Sequence, residues 1–234
     1  MIFIWQTIAI TIDNSLIFPS AYDILNKIFS IISESKFLLA IVLTIFRSLI
    51  SIIIALVIGL ILGIISFKNK YIYNSLYPLM SIIRSIPTMA FIVVALIWFS
   101  KDSSTILIAV LIGLPLFYDV VISSMKNIEN GLINMSRVYE IPKKIILKEI
   151  YIKSIFLSLI DTLSSTVSLI FKVIIASELY SQPKFGIGAA IQFEKMQLNT
   201  DSILAWIIIV AIVSICFDKV IDCAKKNVNR FREV

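Results

Sequence analysis

Five long apolar runs, approximately Phe37–Phe67, Tyr77–Phe99, Ser104–Ser124, Ser154–Tyr180 and Ser202–Ile221, are separated by short clusters of Lys, Asn, Asp, Ser and Pro. A helix needs about 20 apolar residues to cross the hydrocarbon core of a bilayer, and each run reaches that length. Backbone groups in lipid must bond within their own segment, which leaves helices as the open-ended solution. The pattern therefore predicts an all-α, polytopic transmembrane bundle with five clear spans.

Two stretches depart from that pattern. Phe37–Phe67 is too long for one upright span at about 1.5 Å per residue, so it is expected to tilt or to protrude into water at one end, with Arg47 marking the outer part. Met1–Ile12 is apolar but short and is followed by Asp13 and Asn14, which fits a marginal span, a buried fragment or the tail of a helix whose beginning is absent. It lacks the basic first region of a cleaved signal peptide. Between the first stretch and the first full span, Ile24, Leu25, Ile28, Phe29 and Ile32 form one apolar face of a helix suited to the membrane surface.

Composition strengthens the membrane reading. Hydrophobic residues make up 59% of the 234 and charged residues only 15%, against about 45–50% and about 25% in soluble domains. The net charge of +6 does not point to nucleic acid, because the cations sit in short loops beside apolar spans. Their distribution predicts orientation. Lys68, Lys70, Lys126, Arg137, Lys143, Lys144, Lys148, Lys153, Lys219, Lys225, Lys226, Arg230 and Arg232 share one side, and only Lys27, Lys36, Lys101, Lys184 and Lys195 the other. The positive-inside rule assigns the first group, and with it the C-terminus, to the cytoplasm of a multi-pass cell-membrane protein. Segment 18–36 then lies outside, and the 126–153 loop and the 222–234 tail lie inside.

Several chemistries drop out. The chain has no His, which removes imidazole bases, His-containing zinc sites and Ser-His or Cys-His nucleophile pairs; no metal site is expected. Cys216 and Cys223, in or at the end of the last apolar run, read as packing residues without a disulfide framework. No P-loop occurs, and Gly186-Ile187-Gly188 is not followed by Lys-Ser or Lys-Thr.

The 126–153 loop is longer than two adjacent spans require, and such loops are usually functional or disordered. Leu132, Met135 and Tyr139 recur at spacings of three and four, predicting a short amphipathic helix over Gly131–Glu140 with Asn134, Arg137 and Glu140 off the apolar stripe. Pro142 suits the first turn of a second helix that runs through Lys143, Lys144 and Lys148 into the next span. From the residues alone, this element is either a lever moved by a partner or a surface helix resting on anionic lipid.

Charges inside spans are costly, about 2.5–3.5 kcal/mol each at the centre on insertion scales, so they face protein or a water-filled cavity. Arg47, Arg84, Asp119, Asp161, Lys172 and Glu178 are the candidates. Arg84 stands beside Pro87, which removes a helix bond and marks either a gate or pathway wall or a span end obeying the charge rule. Lys172 and Glu178 are too far round one helix to pair, so each needs a partner on another helix; Asp119 is a candidate for Lys172. Gly59 and Gly63 have GxxxG spacing, which permits close helix packing. A membrane-embedded enzyme acting on lipid would need clustered carboxylates, and a stand-alone secondary transporter would need more spans and usually a repeat; neither is evident in the sequence.

Four places together resemble the permease subunit of ABC importers, in the branch that includes nitrate, sulfonate, taurine and vitamin-precursor transporters. They are Thr44 to Arg47 leading into Gly59 and Gly63; Arg84-Ser85-Ile86-Pro87 followed by Ala95-Leu96-Ile97-Trp98-Phe99; the 126–153 loop; and Ala176-Ser177-Glu178 followed by Gly186-Ile187-Gly188. The resemblance implies one type I permease domain over residues 1–234. It also implies partners: ABC ATPase subunits that bind ATP and Mg, a second permease copy in a homodimer, an extracytoplasmic substrate-binding protein and, around this chain, membrane lipid. No cofactor is implied for this chain itself. In the family, the loop carries Glu-Ala-Ala with a Gly four residues after the second Ala, and it inserts into a groove of the ATPase. Here Asn134-Met135-Ser136 occupy those three positions, Glu140 stands where Gly is usual, and Lys153 stands where Pro is common. The resemblance thus implies docking through Leu132, Asn134, Met135, Ser136, Arg137, Val138, Tyr139, Glu140 and Pro142. The span charges and Pro87 make Arg84, Pro87, Asp119, Lys172 and Glu178 the candidates for a pathway or gate, and the anionic substrates in parts of the family suggest a substrate-binding role for Lys172.

Overall fold

The computed structural model describes residues 18–230 and, ahead of them, residues 5–7, 9 and 11; for residues 224 and 226–230 it describes the backbone. Most of Met1–Ile12 and the end of the 222–234 tail lie outside the described residues. From residue 18 to 230 the chain forms nine helices: α1 (Ala21–Ile32), α2 (Phe37–Lys68), α3 (Lys70–Ser85), α4 (Thr88–Trp98), α5 (Lys101–Lys126), α6 (Asn130–Val138), α7 (Lys143–Ser181), α8 (Ile187–Met196) and α9 (Thr200–Arg230).

Among the described residues, α2, α5, α7 and α9 are long and apolar enough to cross a membrane, and the bent pair α3–α4 supplies a fifth crossing if it counts as one span. The bend at Pro87, expected within the Tyr77–Phe99 run, is far larger than a kink. Pro87 has no amide hydrogen, and its ring pushes the preceding residue out of the helical region. Ile86 accordingly is extended (φ −76°, ψ 130°), and α3 and α4 meet at 98°. Local chemistry also sets the other boundaries. Ser20 caps α1 in a reciprocal capping box with Asp23, Asn69 caps α3 by accepting from the amides of Tyr71 and Ile72, and α7 stops where Gln182 turns left-handed (φ 49°) just ahead of Pro183.

The α5 helix is the axis of the bundle. Its Ile108, Ala109, Phe117, Tyr118 and Val121 are fully buried, packed by apolar residues of α2, α3, α4 and α7. The α2 helix runs parallel to α5 in very close contact. A Cβ on Gly59 would lie 2.8 Å from the Phe117 Cβ and one on Gly63 would lie 2.7 Å from the Val121 Cγ1, so only hydrogen fits at either position. The α7 helix runs the other way, tied to α5 near its start by the Ser154 hydroxyl donating to the Ser124 carbonyl at 3.0 Å. Two ends result: an α6 end, where α5 finishes and α7 begins, and an α8 end, where α2 and α5 begin and α7 finishes.

Two expectations about surface residues change. The apolar face of α1 is split, with Ile24 and Ile31 buried against the bundle beside Trp206 and Ile209, and Leu25, Phe29 and Ile32 left open. A helix lying flat on lipid would expose all of its apolar face; α1 is half anchored in protein. Cys216 and Cys223 are free and exposed on the single chain, not buried as packing residues.

Candidate functional site

The loop between α5 and α7 folds into α6, a break and then the first turns of α7, as the periodicity predicts. Within α6, Ser136 is buried, and its hydroxyl donates to the Ile133 carbonyl at 2.7 Å. This is the position where the resemblance expects the second Ala, and a serine whose hydroxyl is satisfied locally is a small enough substitute. The apolar side chains beside it are uncovered by this chain, with Leu132 44%, Met135 50%, Val138 79% and Tyr139 73% exposed. Asn134, Arg137, Glu140 and Pro142 are also exposed.

The end of α6 explains the position where Gly is usual. After Tyr139, the Ile141 amide returns to the Ser136 carbonyl at 2.9 Å, and this turn requires Glu140 at φ 51°. A side chain in the left-handed region costs about 1–2 kcal/mol that Gly avoids. Beyond the break, Pro142 precedes the first turn of α7, and residues Ile146–Ile152 wind as a π-helix before the regular span resumes at Lys153. Such wide turns are rare and concentrate at functional positions.

At the other end, a charged cluster joins four parts of the fold. Glu178 of α7 has no exposed surface; its carboxylate accepts from the Thr44 hydroxyl at 2.9 Å, Arg47 Nη1 at 2.6 Å and the Gly188 amide at 3.1 Å. Arg47, 6% exposed, also donates to the Phe185 carbonyl at 2.9 Å and to the Asp102 carboxylate at 2.5 Å. The Thr44 hydroxyl in turn accepts the Ile187 amide at 3.0 Å. Glycine is required around the carboxylate: a Cβ on Gly186 would lie 2.6 Å from Glu178 Oε2, and one on Gly188 would lie 2.2 Å from the Ile175 carbonyl oxygen. Arg47 is therefore not a protruding outer charge, as its position in an overlong run suggested. It is buried and satisfied on both sides of its guanidinium.

The remaining span charges sit between these ends. Arg84, at the end of α3, pairs with Asp119 of α5 just before the Pro87 bend; their side chains are 38% and 29% exposed. Asp119 is therefore the partner of Arg84 and not of Lys172. Lys172 is exposed on α7, nine residues before Ser181, and forms no ion pair among the described residues. At about 1.5 Å per residue it lies about 13 Å from the end of its helix, close to the middle of a hydrocarbon core about 30 Å thick. One turn below it, the Ser168 hydroxyl donates to Asp218 of α9, and a further turn below, Ser164 donates to Asp222 at 2.7 Å. Asp161 meets Lys225 at 3.9 Å. The structure does not bring the predicted pathway residues into one constellation: Glu178 belongs to the α8 end, while Arg84 and Asp119 lie beside the bend and Lys172 near mid-depth on α7.

Residues 55–231 match the model of the family described as "Binding-protein-dependent transport system inner membrane component". The chain belongs to this family. It is a multi-pass membrane transport subunit of the ABC permease kind and not an enzyme. A relative from Methanocaldococcus jannaschii, provisionally named an ABC transporter permease protein, is 22% identical over 222 residues, covering 92% of this chain and 83% of its own. Among solved structures, a chain of the inward-facing MetNI methionine ABC transporter superposes with a TM-score of 0.62 over 80% of this permease and 94% of that chain, at 15% identity. That likeness establishes the fold.

Two residues of the α8-end cluster were not singled out as functional from the sequence, Thr44 and Asp102. A signal for Asp102 existed: an arginine within a span demands a carboxylate, and Asp102 stands just ahead of the Ser104–Ser124 run.

Proposed function

We propose that this permease forms part of a translocation pathway and is driven by a separate ATPase that docks on α6. The observation that carries the reading is the uncovered apolar side of α6, made by Leu132, Met135, Val138 and Tyr139. An isolated nine-residue helix has little stability of its own in water, and an apolar patch rimmed by polar residues on such an element marks a protein contact. Asn134 and Arg137 supply that rim, and Ser136 keeps α6 seated on its own turn.

The ATPase would bind ATP and Mg, and its movement would reach the bundle through the 131–151 segment. The π-helical stretch at Ile146–Ile152 favours this reading, because it lies in the first turns of α7, between the break after α6 and the regular membrane-crossing helix. The excess of cations on the α6 side supports a cytoplasmic location for the loop and the C-terminus. A second copy of the permease, as a homodimer, and an extracytoplasmic binding protein complete the assembly. The broken helix α3–α4 is the part of this chain best suited to form a gate, with Arg84 and Asp119 at its hinge.

For the solute, the unpaired mid-depth Lys172 favours a small anion, or a vitamin-precursor-like molecule that carries an anionic group. An uncompensated cation at that depth is tolerated in contact with water or an opposite charge. The reading is tested by coupled hydrolysis in the reconstituted transporter after Met135 and Tyr139 are changed to Asp, and by the solute concentration dependence of Lys172→Met.

A further inference from the structure

The polar contacts between α7 and α9 form a ladder. Asp161 meets Lys225, Ser164 donates to Asp222 at 2.7 Å and Ser168 donates to Asp218, so the partners step along two antiparallel helices in equal intervals. Four residues further along α7, the same register sets Lys172 opposite Ser214 of α9. From Asp161 to Lys172 the ladder rises about 16 Å, from the α6 end to the middle of the hydrocarbon core.

Side-chain direction brings the two charges nearest mid-depth together. Every Cα–Cβ bond of a helix tilts toward the N-terminus of that helix. Lys172 therefore leans toward the α6 end, where α7 begins, and Asp218 leans toward the α8 end, where α9 begins. The two converge at the level of Ser214. The Asp218 carboxylate is held by the uncharged Ser168 hydroxyl, so its charge is left to act on Lys172. Lys172 and Asp222 are exposed on the single chain and Asp218 is half-buried. Charges at such depth face water or protein, because lipid leaves them uncompensated.

We infer that the α7–α9 ladder lines a water-filled groove and that Asp218 is a positioning residue within it, the counter-charge that sets how strongly Lys172 draws an anion. An anion at Lys172 has the Asp218 carboxylate one turn away on the side of the α6 end, which keeps its hold weak enough for release. The role in transport rests on Lys172 as the solute contact. The charge balance of the groove does not, so the two fail separately.

Two thiol reagents of opposite charge, sulfonatoethyl and trimethylammonioethyl methanethiosulfonate, measure both parts without any solute. They are applied to open membrane fragments that contain the full-length permease, with the free and exposed Cys216 and Cys223 replaced by Ser. Ser214→Cys places a thiol between Lys172 and Asp218, and Ile212→Cys, on the exposed apolar side of α9 two residues away, is the control. The reactive thiolate forms in water and not in lipid, so position 214 is expected to react about tenfold or more faster than position 212. One charge at about 6 Å in water shifts the two reagents about threefold each in opposite directions. Asp218→Asn, which keeps an acceptor for Ser168, should therefore raise the sulfonate-to-ammonium rate ratio at position 214 by about tenfold. Lys172→Met should lower the ratio as far, the two changes together should restore the parent value, and Asp218→Glu should leave it unchanged. Misfolding would not give opposite shifts that cancel. Equally slow reaction at positions 214 and 212 overturns the groove, and an unchanged ratio in Asp218→Asn overturns the counter-charge. The expected ratios together with an unchanged KM for transport by Lys172→Met would uphold the charge balance and overturn Lys172 as the solute contact.

Discussion

Arg47 Nη1 lies 2.6 Å from Glu178 Oε1 across 131 positions of sequence, and neither residue has appreciable exposed surface. The pair spans α2 and α7, and through Asp102, Phe185 and Gly188 it also holds the start of α5 and the turn into α8. Removing one partner strands a buried charge, so Glu178→Ala is expected to destabilise the permease by about 3–5 kcal/mol. Thermal unfolding in detergent measures this. Replacing both residues by apolar side chains of similar size should cost much less than the sum of the two single changes. Additive losses would show that the two side chains act independently.

Gly59 has the Phe117 side chain and the Tyr118 backbone against it. Gly59→Val must separate α2 from α5 or displace Phe117, and overpacking of this kind costs about 1–3 kcal/mol. The same assay should show a lower unfolding temperature. Gly131→Ala, which meets nothing within 4 Å, should not lower it.

Glu140 holds a left-handed conformation at the end of α6. Glu140→Gly relieves that strain, offset in part by the greater freedom of glycine in the open loop, for a net gain of about 0.5–1 kcal/mol. Hydrogen exchange at the Ile141 amide, which closes the turn onto Ser136, should slow accordingly. Faster exchange would mean that the carboxylate side chain, and not the backbone, stabilises the turn.

Lys172 is the membrane-depth cation without an ion-pair partner among the described residues. Lys172→Met is expected to raise the KM for transport of an anionic solute by about tenfold or more, the scale of losing one charge-assisted contact, whereas Lys172→Arg should largely restore it. An unchanged KM for Lys172→Met removes the residue from the pathway.

The spans were legible because lipid demands long apolar runs, and the observed α2, α5, α7 and α9 contain their predicted segments almost completely. The loop helix was legible for a similar reason: Leu132 and Met135 within its nine residues and Tyr139 at its C-cap carry its period. Pro87 flagged a distortion, but its size depended on Ile86 also leaving the helix, and so the 98° bend was read as a kink at most. Charge pairing was the least legible part. Asp119 could serve Arg84 or Lys172 by composition alone, and only the antiparallel placement of α3 against α5 selects Arg84. Likewise, Arg47 looked like an end-of-span charge until α7 and the glycines at 186 and 188 closed around its carboxylate partner. These relationships are set by which helices neighbour one another, and hydropathy along one chain does not carry that information.

Docking of an ATPase on α6 is read out by coupled hydrolysis. The permease is reconstituted in proteoliposomes with its ATPase and binding protein, and hydrolysis stimulated by solute is compared with that of Met135→Asp combined with Tyr139→Asp. Both side chains are at least half exposed on the single chain, so the permease itself should keep its unfolding temperature. Stimulated hydrolysis is expected to fall by about tenfold or more, as when apolar anchors of an interface become charged. Full stimulation by the doubly substituted transporter would contradict it.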